Sequence, residues 1–449
     1  MGCDKPSGGA ADREQTIEHR AVGDVLDDLA ANQRVARVNG RRATGPRVLV
    51  TEGQERWVIA VCRSLATAGF TVTVAADSRP AVAHWSRFCA RRLKVPPPQS
   101  DPGLFVDLLE AEVRSKPYTL LIPCGEASMR AISEARERLA PLLRASLGLP
   151  PNEVVQAATD KLCLLEAARR SGLPCPESII CSGPQDGLDA AARLGYPVVV
   201  KPQTAFVELH GGVAWRPSRM ARTPQELAPL TQSFGSSYLV QRAQAGTVHS
   251  CSGVYADGEF LALSLARYIR TWPPEAGNAA FAETIAIPPD LPERVRVLLG
   301  SIGWQGIFEL EFMRSSDGAF TTLDLNPRTY GSMALAIRAG ADLPALWCEW
   351  LLGGRPDPVF ARPGFHYRWE DAELRRLVWE IRRGSLSGAA AVLRPRARTV
   401  HPHFRWDDPA PLFARGLYLV RGRLSRHAPE IAPPTATDAR HAHPDHLHT

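Results

Sequence analysis

GIFELEFMRSSDGAFTTLDLNPR, residues 306–328, decides how the chain is read. Apolar and polar residues alternate on either side of Ser315-Ser316-Asp317-Gly318, a run of turn-forming residues. The pattern predicts a hairpin, one strand over roughly 307–313 and its return over 319–326. With the turn centred between Ser316 and Asp317, Glu311 falls opposite Thr322, and Glu309, Glu311, Thr322, Asp324 and Asn326 share one face. Glu311 and Asp324 are then diagonal neighbours, roughly 7–8 Å apart at the backbone. Phe308, Leu310, Phe312, Leu323 and Leu325 form the other face, which is apolar and suited to a core. Burying uncompensated carboxylates costs several kcal/mol each, so two acids and an amide on one face imply a ligand. Hard oxygen donors in that number suit Mg²⁺, whose shell is completed by water and substrate phosphates. Glu309 fits a supporting role as well as ligation. Pro327 ends the strand, and Arg328 then projects past the metal end, where its fork of donors meets a phosphate or oxyanion.

Outward from the hairpin, residues 186–353 read as strands around a glycine-bearing loop, and 151–185 as a short helical unit entered at Leu149-Pro150-Pro151-Asn152. Further upstream the period changes. RVLVT (47–51), FTVTVAA (70–76) and YTLLIPC (118–124) are strand-like apolar runs. They alternate with helical patterns at 55–69, stopped by Gly69, near 102–115, and from 126. Such alternation predicts a parallel sheet covered by helices, an α/β fold over 44–150. Neither a GxGxxG fingerprint after the first strand nor a GxxxxGK[ST] loop occurs, so nucleotide use needs another device.

The ends are different in kind. Residues 1–43 read as a mobile tail with one helical stretch around Thr16–Asn32. Residues 356–427 form an Arg-rich C-terminal segment with one clear helix near 370–383. Residues 428–449 read as a disordered tail carrying His441, His443, His446 and His448. The net charge of +6 is local: residues 355–426 hold 15 Arg against 7 acids, and no RNA-binding motif accompanies them. The basic segment is therefore read as a solvated face, with no nucleic-acid partner. The absence of an apolar run of about 18 residues argues against a membrane span. The nine cysteines include no CxxC pair, which argues for a reducing, cytoplasmic setting. Arginine outnumbers lysine 48 to five, so each structured lysine marks a place where a compact ammonium is wanted.

The hairpin resembles the metal-binding end of the ATP-grasp superfamily, in the branch of biotin carboxylase and the carbamoyl-phosphate synthetase large chain. That family's E-F strand followed by E-x-N-P-R stands here as Glu311-Phe312 and Asp324-Leu325-Asn326-Pro327-Arg328. Three upstream stretches are similar and in order. TDKLCLLEAARRSGLPCP (159–176) carries Lys161, LGYPVVVKP (194–202) carries Lys201, and YLVQRAQAG (238–246) carries Gln241. HSCSGVYADG (249–258) is similar to a stretch whose histidine, here His249, lies near the ribose. The resemblance covers roughly 45–355. It implies a pre-ATP-grasp domain over 44–150 and a two-lobed ATP-grasp domain over 151–355. ATP would be held by Lys161, Lys201, Gln241, His249 and the Gly211-Gly212 loop. Glu311, Asp324 and Asn326 would hold one or two Mg²⁺ ions, with Mn²⁺ an acceptable substitute. Arg328 would act on the transferring phosphate or acyl intermediate.

The implied activity is a carboxylate–amine ligase: ATP phosphorylates a small-molecule carboxylate and an amine captures the acyl phosphate. A homodimer would be ordinary for the superfamily. Three departures leave alternatives open, one being Arg242 where the family commonly has an acid that bonds ribose or adenine. The phosphate loop, TAFVELHGGVAW (204–215), has only two glycines and no lysine, and the second metal acid is Asp rather than Glu. A bicarbonate-dependent carboxylase and a catalytically inactive ATP-binding regulator therefore stay in view. For the substrate carboxylate, Arg338 is a candidate clamp, and Arg267, Arg270 and Trp272 form a candidate anion site.

Overall fold

The computed structural model describes residues 45–424 apart from 78–80, 210–211, 235–236 and 275–276. The N-terminal stretch at 16–32 and the histidine-bearing tail lie outside the described residues.

The first layer is a four-stranded parallel sheet in the order Arg91–Lys94, Thr71–Ala76, Arg47–Val50, Leu120–Ile122. Val48, Leu49, Val50, Val72, Val74, Leu120 and Leu121 are all fully buried. Helices cover both faces, which is why these strands read as continuous apolar runs rather than alternating ones. The Arg56–Thr67 helix stops at Gly69, whose φ of +97° suits glycine. Asp101 caps the Pro102–Ser115 helix by accepting from the Leu104 amide at 2.9 Å. The exposed edge strand Arg91–Lys94, RRLK, carries no apolar pattern and could not be read from sequence.

This strand order reverses direction at the first strand. The chain leaves Val50 toward one edge and Ile122 toward the other, so the two following loops part and open a crevice at the carboxyl ends.

A small antiparallel sheet follows, in the order Ser178–Cys181, Tyr238–Arg242, Val198–Pro202, Arg219–Ala221. The third sheet has eight strands and runs from Phe320–Asn326 through Gly306–Arg314, Thr247–Ala256, Glu259–Trp272 and Asn278–Ile285. Its far side is made by the Arg-rich segment. His366–Arg368 and Thr399–Val400 extend the sheet, and Val359–Phe360 pairs with Glu259–Trp272. Among the described residues that segment holds three helices, Glu370–Arg382, Leu386–Leu393 and Ala410–Leu424, where one was expected.

Candidate functional site

The hairpin forms, but with a different register from the expected one. Glu311 pairs directly with Asp324 and Glu309 with Asn326, while Phe312 pairs with Thr322. Two insertions of one residue cause the shift. The turn runs over Ser315–Ala319, closed by Ser315 N to Ala319 O at 3.1 Å with Gly318 at φ +90°. Leu323 is a bulge, unpaired between Thr322 and Asp324. The two acids are thus opposed rather than diagonal, and Thr322 moves from the acid face to the row of Phe312, where it is buried. The bulge has a further consequence: the Leu323 carbonyl accepts from Lys201 Nζ at 2.7 Å, seating that lysine beside the acids.

Lys201 comes from the Val198–Pro202 strand and Lys161 from the first turn of the Lys161–Arg170 helix. Asp160 caps that helix, accepting from the Leu162 amide at 2.7 Å, and also receives Gln203 Nε2 at 2.6 Å. With its backbone held this way, Lys161 donates to Asp324 Oδ1 at 3.2 Å. Three separate elements therefore converge on one patch.

Glu309 lies at the floor, 4% exposed, and accepts from Ser250 at 2.8 Å, Tyr268 at 3.0 Å and Asn326 Nδ2 at 3.1 Å. It orients Asn326, whose Oδ1 accepts from Arg328 Nη2 at 3.0 Å. Tyr268 also reaches Glu311 at 3.3 Å. Arg328 donates Nη1 to the Thr329 carbonyl at 3.0 Å, and its Nε is buried without a partner.

The two opposed acids titrate apart. Burial pushes Glu311 up to about 8, helped by the neighbouring charges of Glu309 and Asp324. Burial alone would also raise Asp324, but Lys161 and Lys201 outweigh it and hold that carboxyl below its ordinary value. Lys161 is raised because Asp324 and Glu126 overcome its burial, whereas burial lowers Lys201. Among the described residues no group of three or more His, Cys, Asp or Glu side chains has metal-holding geometry. The patch instead offers two carboxylates and an amide oxygen, a donor set that fits Mg²⁺ keeping part of its water shell.

Other expected residues are placed as follows. Gln241 sits on the Tyr238–Arg242 strand and donates Nε2 to Ser178 at 2.9 Å. His249 departs from expectation. It adjoins Ser250 on its strand and so points to the face opposite Glu311, where it packs edge-on against Phe320, its Nδ1 3.0 Å from the Thr247 carbonyl. Gly212 opens the Gly212–Trp215 strand opposite Leu209, and Gly211 lies outside the described residues. Arg338 is exposed and its guanidinium lies over Phe365. Arg267 is engaged by Glu283, and Arg270 by Glu373 at 2.5 Å, so that pair forms no open anion site.

The crevice beyond Arg328 was missed from sequence. Glu52, Glu55 and Glu126 lie there with carboxyls raised by burial. Glu55 feels Arg56 and Arg328, while Glu126 feels Arg328, Lys161 and Asp324. Charged residues standing immediately after two parallel strands, TEGQER and PCGE, were the available signal.

No protein-family model matches the chain. It is 23% identical over 290 residues to the carbamoyl phosphate synthase large chain of Thermus thermophilus, covering 62% of this chain and 26% of that one. The chain thus spans about a quarter of that relative's length. Among solved structures, an ADP complex of N5-carboxyaminoimidazole ribonucleotide synthetase superposes with a TM-score of 0.56 at 12% identity, covering 76% of this chain and 86% of that one. An L-amino acid ligase from Bacillus licheniformis gives a TM-score of 0.54 at 15% identity over 70% of this chain and 75% of that one. These neighbours are ATP-grasp ligases, and the chain has the ATP-grasp fold with a weak sequence likeness to the carbamoyl phosphate synthase large chain.

Proposed function

We propose that the protein is an ATP- and Mg²⁺-dependent ligase that activates a carboxylate as an acyl phosphate and couples it to an amine. One observation carries this reading: Glu311 and Asp324 oppose each other on one strand pair, with Lys161 and Lys201 delivered to them from two other elements. Residues 151–355 would form the ATP-binding unit, with residues 44–150 supplying the crevice for the second substrate.

Glu311, Asp324 and Asn326 would hold the metal, which neutralises phosphate charge when bound. Lys161 and Lys201 are placed to meet phosphate oxygens, and Gln241 lies on the strand read as the adenine side. A carboxylate oxygen attacks the terminal phosphorus and ADP leaves. The amine nitrogen then attacks the acyl carbon, its proton passes to a crevice carboxylate, and phosphate departs. Arg328, held by Asn326 and Thr329, keeps its Nε free for an oxygen that gains charge in these steps. A free carboxylate resists amines, so C–N bond formation should require ATP, and multiple-turnover ADP release should require both substrates because the amine clears the acyl phosphate.

The test is calorimetric titration of a non-hydrolysable ATP analogue with and without Mg²⁺, for the wild type and for Glu311→Ala combined with Asn326→Ala. Mg²⁺-dependent binding lost in the variant supports the site, and binding that ignores both changes refutes it. ADP release from carboxylate and amine libraries then reads the chemistry.

A further inference from the structure

Arg56 is the first residue of the helix after the opening strand, at the mouth of the crevice. Its side chain is fixed from three sides. The guanidinium carbon lies 3.8 Å from the centroid of the Trp369 ring. Nε donates to Tyr367 Oη at 3.1 Å, and that hydroxyl donates on to the Gly331 carbonyl at 2.9 Å. Gly331 lies so close that a Cβ there would overlap the guanidinium.

Tyr367 and Trp369 belong to the Arg-rich segment and Gly331 to the loop after Arg328, so two remote parts of the chain hold one arginine. Among the described residues neither Nη of Arg56 has a hydrogen-bond acceptor, and neither is sealed from solvent. A planar fork, stacked and aimed but unoccupied by any carboxylate, is the arrangement that takes a ligand carboxylate with little entropy left to lose.

The same crevice holds groups of the opposite sign. Glu55 feels both Arg56 and Arg328. Glu52 accepts from Ser128 at 2.8 Å in a left-handed backbone conformation, φ +53°, that few non-glycine residues adopt. The crevice floor is tied to the hairpin end, since Thr329 Oγ1 donates to the Cys124 carbonyl at 2.7 Å and Trp57 Nε1 to the same carbonyl at 2.8 Å. A guanidinium fork at the mouth, carboxylates next to it and Arg328 beyond make a site for a zwitterion lying between the mouth and the hairpin.

We propose that the amine substrate is a free amino acid whose carboxylate is clamped by Arg56. This rests on the ligase reading above. Its ammonium faces the crevice acids and gives its proton to Glu55. The freed nitrogen forms the C–N bond to the acyl carbon, the acyl carbon–oxygen bond breaks, and the second proton of the nitrogen leaves with the departing phosphate. Burial raises the Glu55 carboxyl, which makes it a better proton acceptor than an exposed glutamate. Trp369 and Tyr367 are positioning residues that act through Arg56.

The experiment is saturation-transfer NMR of full-length protein with each of the twenty standard amino acids and its carboxamide, for wild type, Arg56→Ala, Arg56→Lys and Trp369→Leu. One or more free amino acids should bind the wild type at least 10-fold tighter than their carboxamides. Arg56→Ala should erase that preference, Arg56→Lys should keep only part of it, and Trp369→Leu should weaken it while leaving binding of the ATP analogue unchanged. Equal binding of acid and amide, no binding of either, or an unaltered preference in Arg56→Ala overturns the clamp. In turnover assays the two readings separate. No ADP release with any acid and amine defeats the ligase reading, whereas release with amines that lack a carboxylate, at the same KM in Arg56→Ala, defeats only the clamp.

Discussion

At the scale of single residues the site works by unequal treatment of equal groups. Glu311 and Asp324 are opposed carboxylates, yet only Asp324 has lysine partners close enough to keep it ionised. Glu311 is held up to about 8, against an ordinary value near 4.5 in the unfolded chain. The folded state therefore binds the extra proton. Stability contributed by this group is full below about 4.5 and is lost as pH rises through about 8, at up to about 1.4 kcal/mol per pH unit. In EDTA, thermal unfolding should thus occur at lower temperature at pH 8 than at pH 6, and Glu311→Gln should flatten that slope. A slope unchanged in Glu311→Gln would assign the titration elsewhere. Lys161 gives a second prediction. Replacing it by Met removes one charge-assisted contact of about 1.5–3 kcal/mol, so affinity for the ATP analogue should fall about 10- to 100-fold, read by calorimetry.

At the scale of elements, the hairpin shows how one residue alters a site. A regular ladder would leave Lys201 without the Leu323 carbonyl and would place the acids differently, so the bulge is a working part of the strand. Sequence periodicity found the strands and the acid face from Glu309, Glu311, Asp324 and Asn326. It could not find the bulge, because Thr-Thr-Leu at 321–323 alternates no more clearly in one register than another. His249 was misplaced for a related reason: a family stretch was matched without the strand's facing direction, and a shift of one position turns a side chain to the other face. The neighbouring Thr247–Ala256 strand has its own tight point. A Cβ on Gly253 would overlap the Ala262 carbonyl of the paired strand, so Gly253→Ala should cost about 1–3 kcal/mol, measured as a lower urea midpoint.

At the scale of the whole molecule, the Arg-rich segment is a strap across the two large sheets. It adds strands beside Asn278–Ile285 and returns to the first domain through Asp408, which is 1% exposed. Asp408 accepts from Arg63 Nε at 2.9 Å, Ser86 Oγ at 2.7 Å and the Arg87 amide at 2.9 Å. Arg63 spends its remaining donors on the carbonyls of Pro402, His403 and Asp408. Asp408→Ala would strand a buried guanidinium and should cost about 3–5 kcal/mol in urea unfolding. The basic charge that stood out in composition is in good part consumed internally, as in the pairs Arg376–Glu380 and Arg415–Asp371. Among the described residues no helix is long and apolar enough to cross a membrane.

The sequence by itself determined the parallel first sheet, the hairpin, its acid face and the ordered lysines at 161 and 201. The sheet, the hairpin and its acid face rest on local periodicity and residue type at short spacing, and the two lysines on stretches that resemble the family's in order, all of which a linear text preserves. Only the tertiary structure decided the register of Glu311 against Asp324, the seat of Lys201, the direction of His249 and the grip of Tyr367 and Trp369 on Arg56. Those depend on turn length, on a bulge and on contacts between residues more than 300 positions apart, such as Arg56 and Tyr367. Packing free energy settles them when the whole chain closes, and no short window of sequence carries it.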